Sequence, residues 1–227
     1  MKRLALLVLL ASLCVSPALA ATITEDWNCA DNNSLTCDVT WNEFGSASAA
    51  AFGIASNRAA YNATGGNDAN AYTNTNLTTN HYVQVKVATL THAAGALEVA
   101  GVVCRKSTSS AITGYYWEAW RSDSLNEHRL YKRTAGAEVL LGTDSTDHSA
   151  NEVLKLECDG TNITARVNGT LASFGVIGSQ TDHSSNVRQG IFGFYDGGVT
   201  SGIALDDFES GDITSASRAG RVPIIVY

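Results

Sequence analysis

The feature that most constrains this chain is a two-residue alternation of apolar and polar side chains. Residues 81–87 read His-Tyr-Val-Gln-Val-Lys-Val. An extended backbone puts Val83, Val85 and Val87 on one side and Tyr82, Gln84 and Lys86 on the other. Residues 153–158 repeat the pattern with Leu154, Leu156 and Cys158. Asp159-Gly160 and Asn168-Gly169 bracket the apolar-alternating stretch 163–167 and mark hairpin turns. Further strands are predicted over 23–27, 39–44, 51–55, 97–105, 114–121, 128–133, 138–141, 187–195 and 203–209. No window sustains a 3.6-residue period long enough for a major helix. About a dozen short strands without alternating helices fold as a two-sheet sandwich or a barrel. Only two prolines occur in 227 residues, as central strands require, because proline cannot donate to a ladder.

The first twenty residues do not share this pattern. Lys2 and Arg3 precede an apolar run from Leu4 to Leu13, and Ala18-Leu19-Ala20 supplies a small-x-small cleavage site. This is the layout of a secretory signal peptide cut after Ala20. Bulky Leu13 before Cys14 argues against lipidation at that cysteine. Loss of Lys2 and Arg3 moves the formal net charge from −7 to about −9. Such a surface lacks the basic patch that nucleic acid or an anionic membrane needs. No second apolar run approaches the length of a membrane span.

Four of the five cysteines lie beyond the leader, an even number suited to an oxidising compartment. Cys29 and Cys37 enclose a polar run of the length of a stapled loop, which leaves Cys104 and Cys158 in strand-like stretches. No Cys or His spacing resembles a zinc motif, so disulfides are expected, with their connectivity left open. The histidines at 81, 92, 128, 148 and 183 are scattered; the dipeptides Asp147-His148 and Asp182-His183 could orient imidazoles or bind a metal, but loop dipeptides of this kind read as solvated turns.

The order of strands carries a family rhythm. Gly101-Val102-Val103-Cys104-Arg105 leads to Gly114-Tyr115-Tyr116-Trp117, then to Leu130-Tyr131-Lys132 and Leu154-Lys155-Leu156. Asn168-Gly169, Gly190-Ile191-Phe192-Gly193 and a closing Leu205-Asp206-Asp207-Phe208-Glu209 follow. From about residue 22 to 213 the chain resembles the laminin G-like jelly roll of the concanavalin A-like lectin/glucanase superfamily. The resemblance implies an all-β, two-sheet antiparallel jelly-roll sandwich over 21–213. It also implies ligands on the concave face or loop rim, in sugar-binding modules, adhesion domains, hydrolases or lyases. Modules of this type often hold a structural calcium between first and last strands. Here Asp206 or Asp207 with Glu25 or Asp26 are the oxygen donors for it.

The densest candidate site is Gly114-Tyr115-Tyr116-Trp117-Glu118-Ala119-Trp120-Arg121. Alternation puts Tyr116, Glu118 and Trp120 on one side, and Tyr115, Trp117, Ala119 and Arg121 on the other. One side packs inward, and the other offers a stacking platform for sugar rings. The side carrying Glu118 is expected to look outward, since a buried lone carboxylate is costly. Arg105, Arg121 and Glu118 are the expected polar contacts.

Glycosidases need two carboxylates about 5–10 Å apart. The Glu-x-Asp-x-x-Glu and Glu-x-Asp-x-Glu strands of the superfamily's glucanases do not occur here. The alginate-lyase pattern fails too, since Arg105-Lys106-Ser107 lacks its glutamate and Gln84-Val85-Lys86 its histidine. The reading is therefore a secreted, non-catalytic module binding a glycan or another extracellular surface. The alternatives are a polysaccharide-cleaving enzyme with an atypical site at Glu118, and an assembly subunit. The last would dock through the apolar tail Val222-Pro223-Ile224-Ile225-Val226, which follows a polar linker within 214–227.

Overall fold

The computed structural model describes residues 21–31, 35, 37–45, 52–62, 67–91, 94–108, 112–197 and 202–214. The expected leader (1–20), His92 and the tail segment 222–226 lie outside these residues. In chain order the first strands are β1 (Thr22–Glu25), β2 (Trp41–Gly45), β3 (Phe52–Ile54), β4 (Ala59–Tyr61) and β5 (Asn67–Thr73). Next come β6 (His81–Thr91), β7 (Glu98–Lys106), β8 (Gly114–Arg121), β9 (Asn126–Thr134) and β10 (Ala137–Asp144). The last five are β11 (Glu152–Asp159), β12 (Asn162–Val167), β13 (Thr170–Ile177), β14 (Arg188–Tyr195) and β15 (Gly202–Asp212). No helix occurs among the described residues.

The strands form two antiparallel sheets. The eight-stranded sheet runs β13-β12-β11-β6-β15-β4-β3, with β1 joined to β15. The seven-stranded sheet runs β10-β9-β8-β7-β14-β5-β2. Register follows from the alternation: Val83 and Val85 stand opposite Leu156 and Leu154, and all four are buried between the sheets. From the other sheet, Trp117, Leu130 and Ile191 enter the same core. Trp27, Trp41 and Phe208 close one part of it, with the Trp41 and Phe208 ring centroids 4.9 Å apart, edge to face.

Turn chemistry agrees with the strand order. Asn168 and Gly169 both hold positive φ (50° and 79°) between β12 and β13, the requirement of a type I′ hairpin. The strands not anticipated are β4, β5 and β13. In β5 the alternation is carried by Ala69, Ala71 and Thr73, which are buried but too small to signal a strand. An edge strand, β13 leaves Leu171 and Val176 exposed and so lacks a clean inside face.

The four cysteines beyond the expected leader form two disulfides, which settles the connectivity left open by the sequence. Cys29–Cys37 closes its loop, and Cys104–Cys158 joins β7 to β11, one strand from each sheet. The second bridge spans 54 residues of sequence, so chain entropy assigns it about 4 kcal/mol before native-state costs. Replacing Cys104 and Cys158 together by Ala is expected to lower unfolding stability by about 2–4 kcal/mol. Urea titration checks this, and an unchanged midpoint would show that the bridge does not restrain the unfolded chain.

Candidate functional site

Strand β8 sorts its side chains as its alternation dictates. Tyr115, Trp117 and Ala119 enter the core between the sheets, whereas Tyr116, Glu118 and Trp120 face away from it. That outer side does not form the open platform expected from sequence. It carries an apolar cluster of its own, built from Val99, Val103, Tyr116, Tyr131 and Phe192. Glu118 is 0% exposed.

A buried cation makes this burial tolerable. Nη2 of Arg133 lies 2.9 Å from Oε1 of Glu118, and Nε of Arg133 lies 2.8 Å from Oε1 of Glu138. The first contact is an ion pair without directed hydrogen-bond geometry at Oε1. The other oxygen, Oε2, accepts a 2.9 Å bond from Nε1 of Trp120. The guanidinium also spans the rings of Phe192 and Tyr116, at 4.4 and 4.5 Å from their centroids. Burial pushes the Glu118 carboxyl up to about 7, against the opposing pull of Arg133.

Other residues expected at the platform have structural partners. Trp117 donates from Nε1 to the Arg166 carbonyl (3.1 Å), and the Tyr115 hydroxyl donates to the Asp182 carbonyl (3.0 Å). The Tyr116 hydroxyl donates to Oδ1 of Asn70 (3.0 Å). Arg105 is buried, with Nη2 donating to the carbonyls of Gly160 (2.6 Å) and Thr79 (3.1 Å). Arg121 donates to the Leu90 carbonyl (3.1 Å) and shares the inward side of its strand. The expected contacts at Tyr115, Tyr116, Trp117, Glu118 and Arg105 are thus withdrawn into the fold. Strand alternation tells two sides of a sheet apart, but it does not say whether the second side is covered.

Trp120 alone of the four aromatics is half-buried. Arg129 lies across its ring at 4.3 Å and donates from Nε to Oε1 of Glu127 at 2.6 Å. Glu127 stands opposite Trp120 in the β8–β9 register. From there it lines a rim cleft of about 390 Å³ with Ser122, Asp123, Ser124, Asn126 and Asp147. The sequence reading missed these residues. Their signal was the Ser122-Asp123-Ser124 turn with Asn126-Glu127, a run of hydroxyl, amide and carboxylate groups directly after the aromatic strand.

Each of the four carboxylates expected to hold calcium has a partner within the protein. Glu25 accepts backbone N–H bonds from Trp27 (3.1 Å), Asp38 (3.1 Å) and Val39 (3.0 Å), and Asp26 accepts from the Asn28 amide (3.0 Å). Asp206 lies 2.8 Å from Nζ of Lys86, which also contacts Asp207. A bulge in the β15–β6 register, with Asp207 at φ 49°, seats Lys86 between these two acids. An ammonium therefore stands between the two aspartates. Glu25, Asp26 and Asp207 line a separate cleft of about 330 Å³ with Asp38 and Glu209. Nearby Cys37 is no donor, because its sulfur is in a disulfide.

His148, expected in a solvated turn, is buried against Glu152 and faces His128. Asp182-His183 fits that expectation better, with Asp182 exposed and paired to Lys132.

No protein-family model and no curated protein sequence matches the chain. Solved structures match it. The CBM2 module of the evolved Dit of Lactobacillus casei BL23 phage J-1 superposes with a TM-score of 0.57 at 15% identity, over 85% of this chain and 96% of that one. The carbohydrate-binding module CBM66 from Bacillus subtilis gives 0.54 at 13% identity, over 76% and 96%. A GH16 of the Bacteroides ovatus mixed-linkage glucan PUL, in complex with product, gives 0.53 at 12% identity, over 85% and 99%. The fold is a jelly-roll sandwich. At such identities the likeness speaks for architecture, and activity has to be argued from the site.

One buried residue beside Arg105 sets a pH limit. Nδ1–H of His81 donates to the Thr78 carbonyl (2.7 Å), and Nε2 accepts the Arg105 backbone N–H (3.2 Å). The second bond requires a neutral imidazole, because protonated Nε2 has no lone pair to accept with. Burial lowers its pKa from 6.5 to about 4. A depressed histidine pKa contributes stability above 6.5 that disappears as pH falls to about 4, on the order of 3 kcal/mol. Stability measured by urea titration is expected to drop across that window, and His81→Gln to flatten the drop. Equal slopes in the two proteins would refute this assignment.

Proposed function

We propose that this chain is an exported, non-catalytic carbohydrate-binding or adhesion module whose ligand seats at the rim cleft beside Trp120. The observation that carries the reading is a cleft of hydroxyl, amide and carboxylate groups whose Glu127 stands opposite half-buried Trp120 and accepts from Arg129, the cation over that ring. A pyranose ring offers an apolar C–H face and a belt of hydroxyls. The indole takes the first, and Asn126, Glu127 and the adjoining serines take the second. Three carboxylates at the cleft, from Asp123, Glu127 and Asp147, favour neutral glycans over polyuronates. Two disulfides support export to an oxidising compartment, in accord with the leader expected over residues 1–20. Two of the similar folds are carbohydrate-binding modules by name.

The enzymatic reading runs through Glu118, whose raised pKa suits a general acid. Its full burial between Arg133 and Trp120 favours binding over cleavage. The assembly reading draws on exposed Val139 (50%) and Leu140 (51%) on edge strand β10, a surface for strand addition by the apolar segment 222–226 of another copy.

A glycan array followed by fluorescence titration tests the proposal. Trp120→Ala is expected to weaken binding of a neutral glycan about 10- to 30-fold, with unchanged far-ultraviolet circular dichroism. Binding that survives the substitution would remove the rim site. No binding by the unaltered protein to any glycan would remove the carbohydrate reading, and product release from a polysaccharide panel would replace it with catalysis.

A further inference from the structure

A buried polar triad ties β9 of one sheet to β11 of the other. His128 lies on β9, Glu152 begins β11, and His148 sits in the turn four residues before Glu152. All three are buried. Nε2 of His128 is 2.5 Å from Oε1 of Glu152, and Nδ1 of His148 contacts that same oxygen. One ligand atom from each residue lies within 4.8 Å of the other two.

As a set of hydrogen bonds the triad is incomplete. Donation to Oε1 commits the single N–H of each neutral imidazole. Nδ1 of His128 and Nε2 of His148 then remain buried without a hydrogen-bond partner. Two buried rings thus crowd one carboxylate oxygen, with a donor atom of each residue close enough for a single ion to share.

We propose that His128, His148 and Glu152 form a structural site for a divalent transition metal of the zinc class. Two imidazoles and a carboxylate suit such an ion and disfavour calcium, which takes oxygen donors. Bonds of about 2.0–2.2 Å set tetrahedral donors about 3.3 Å apart. The triad therefore opens by about an ångström to admit the ion. Each neutral ring shifts its proton to its outer nitrogen, and none is released. The second carboxylate oxygen or a water completes the shell.

The surroundings hold these ligands in place. Trp117 stacks on His128, with centroids 5.5 Å apart. The Ser149 amide donates to Oε2 of Glu152 (3.1 Å), and the His148 amide donates to Oδ1 of Asn126 (2.9 Å). Asp144, buried and interacting electrostatically with His128, offsets the charge a dication leaves after Glu152. The four described cysteines are in disulfides, so no thiolate competes for the metal. The site is closed to substrate, as structural sites are. It also fixes the turn that carries Asp147 to the rim cleft.

The test uses the full chain as secreted, purified without metal affinity or imidazole. Elemental analysis is expected to find about one equivalent of metal per chain. After dialysis against chelator, Zn2+ is expected to raise Tm by several degrees, and Co2+ to give the visible absorption of a tetrahedral site. His148→Gln and Glu152→Gln should each weaken Co2+ binding at least about 10-fold, whereas His183→Gln, on another loop, should not. If either variant fails to fold, metal content and the Co2+ spectrum of the unaltered protein decide the matter. An apoprotein whose Tm ignores Zn2+ and which shows no Co2+ absorption overturns the proposal. So does binding that withstands both substitutions, because the metal then lies elsewhere.

Discussion

The guanidinium of Arg133 holds the outer side of the seven-stranded sheet together. It pairs with Glu118 and Glu138 while its flat faces cover Phe192 and Tyr116. A sandwich usually buries one side of each sheet and leaves the other to water. Strand β8 is buried on both, and an acid at its centre persists only because a cation is buried with it. Breaking such a pair by removing one partner leaves an uncompensated charge, which costs more than the pair contributes.

That covering layer decides where a ligand can go. With Tyr116 and Glu118 sealed, surface chemistry moves to the end of the strand, where Trp120 meets the β8–β9 turn. The cleft there gathers hydroxyl, amide and carboxylate groups, and its Glu127 stands opposite Trp120. The His128–His148–Glu152 triad joins the cleft through the chain itself, since Asp147 of the cleft directly precedes His148. Both features depend on the loop between β10 and β11, which delivers Asp147 outward and His148 inward.

Much of the architecture was legible in the residues themselves. Val83, Val85, Leu154 and Leu156 announce their strands because large β-branched or aliphatic residues recur every second position. Asn168-Gly169 announces its hairpin because few other dipeptides accept two positive φ values. Strand β5 stayed hidden because alanine and threonine carry its pattern, and edge strand β13 because it has no single buried side. The site was less legible. Alternation separated its two rows, but Tyr116 and Glu118, in the row expected to face solvent, are interior.

Local sequence thus determined the strands, their facing and the cysteine supply, since these follow from period, turn chemistry and composition within a few residues. Which side chains meet was decided only by the tertiary structure. Arg133 reaches Glu118 from the neighbouring strand, Lys86 from β6 separates the two aspartates of the last strand, and His128 meets His148 and Glu152 across the gap between sheets. Such contacts join residues tens of positions apart, whose proximity depends on strand order and register. No short stretch of sequence encodes either one.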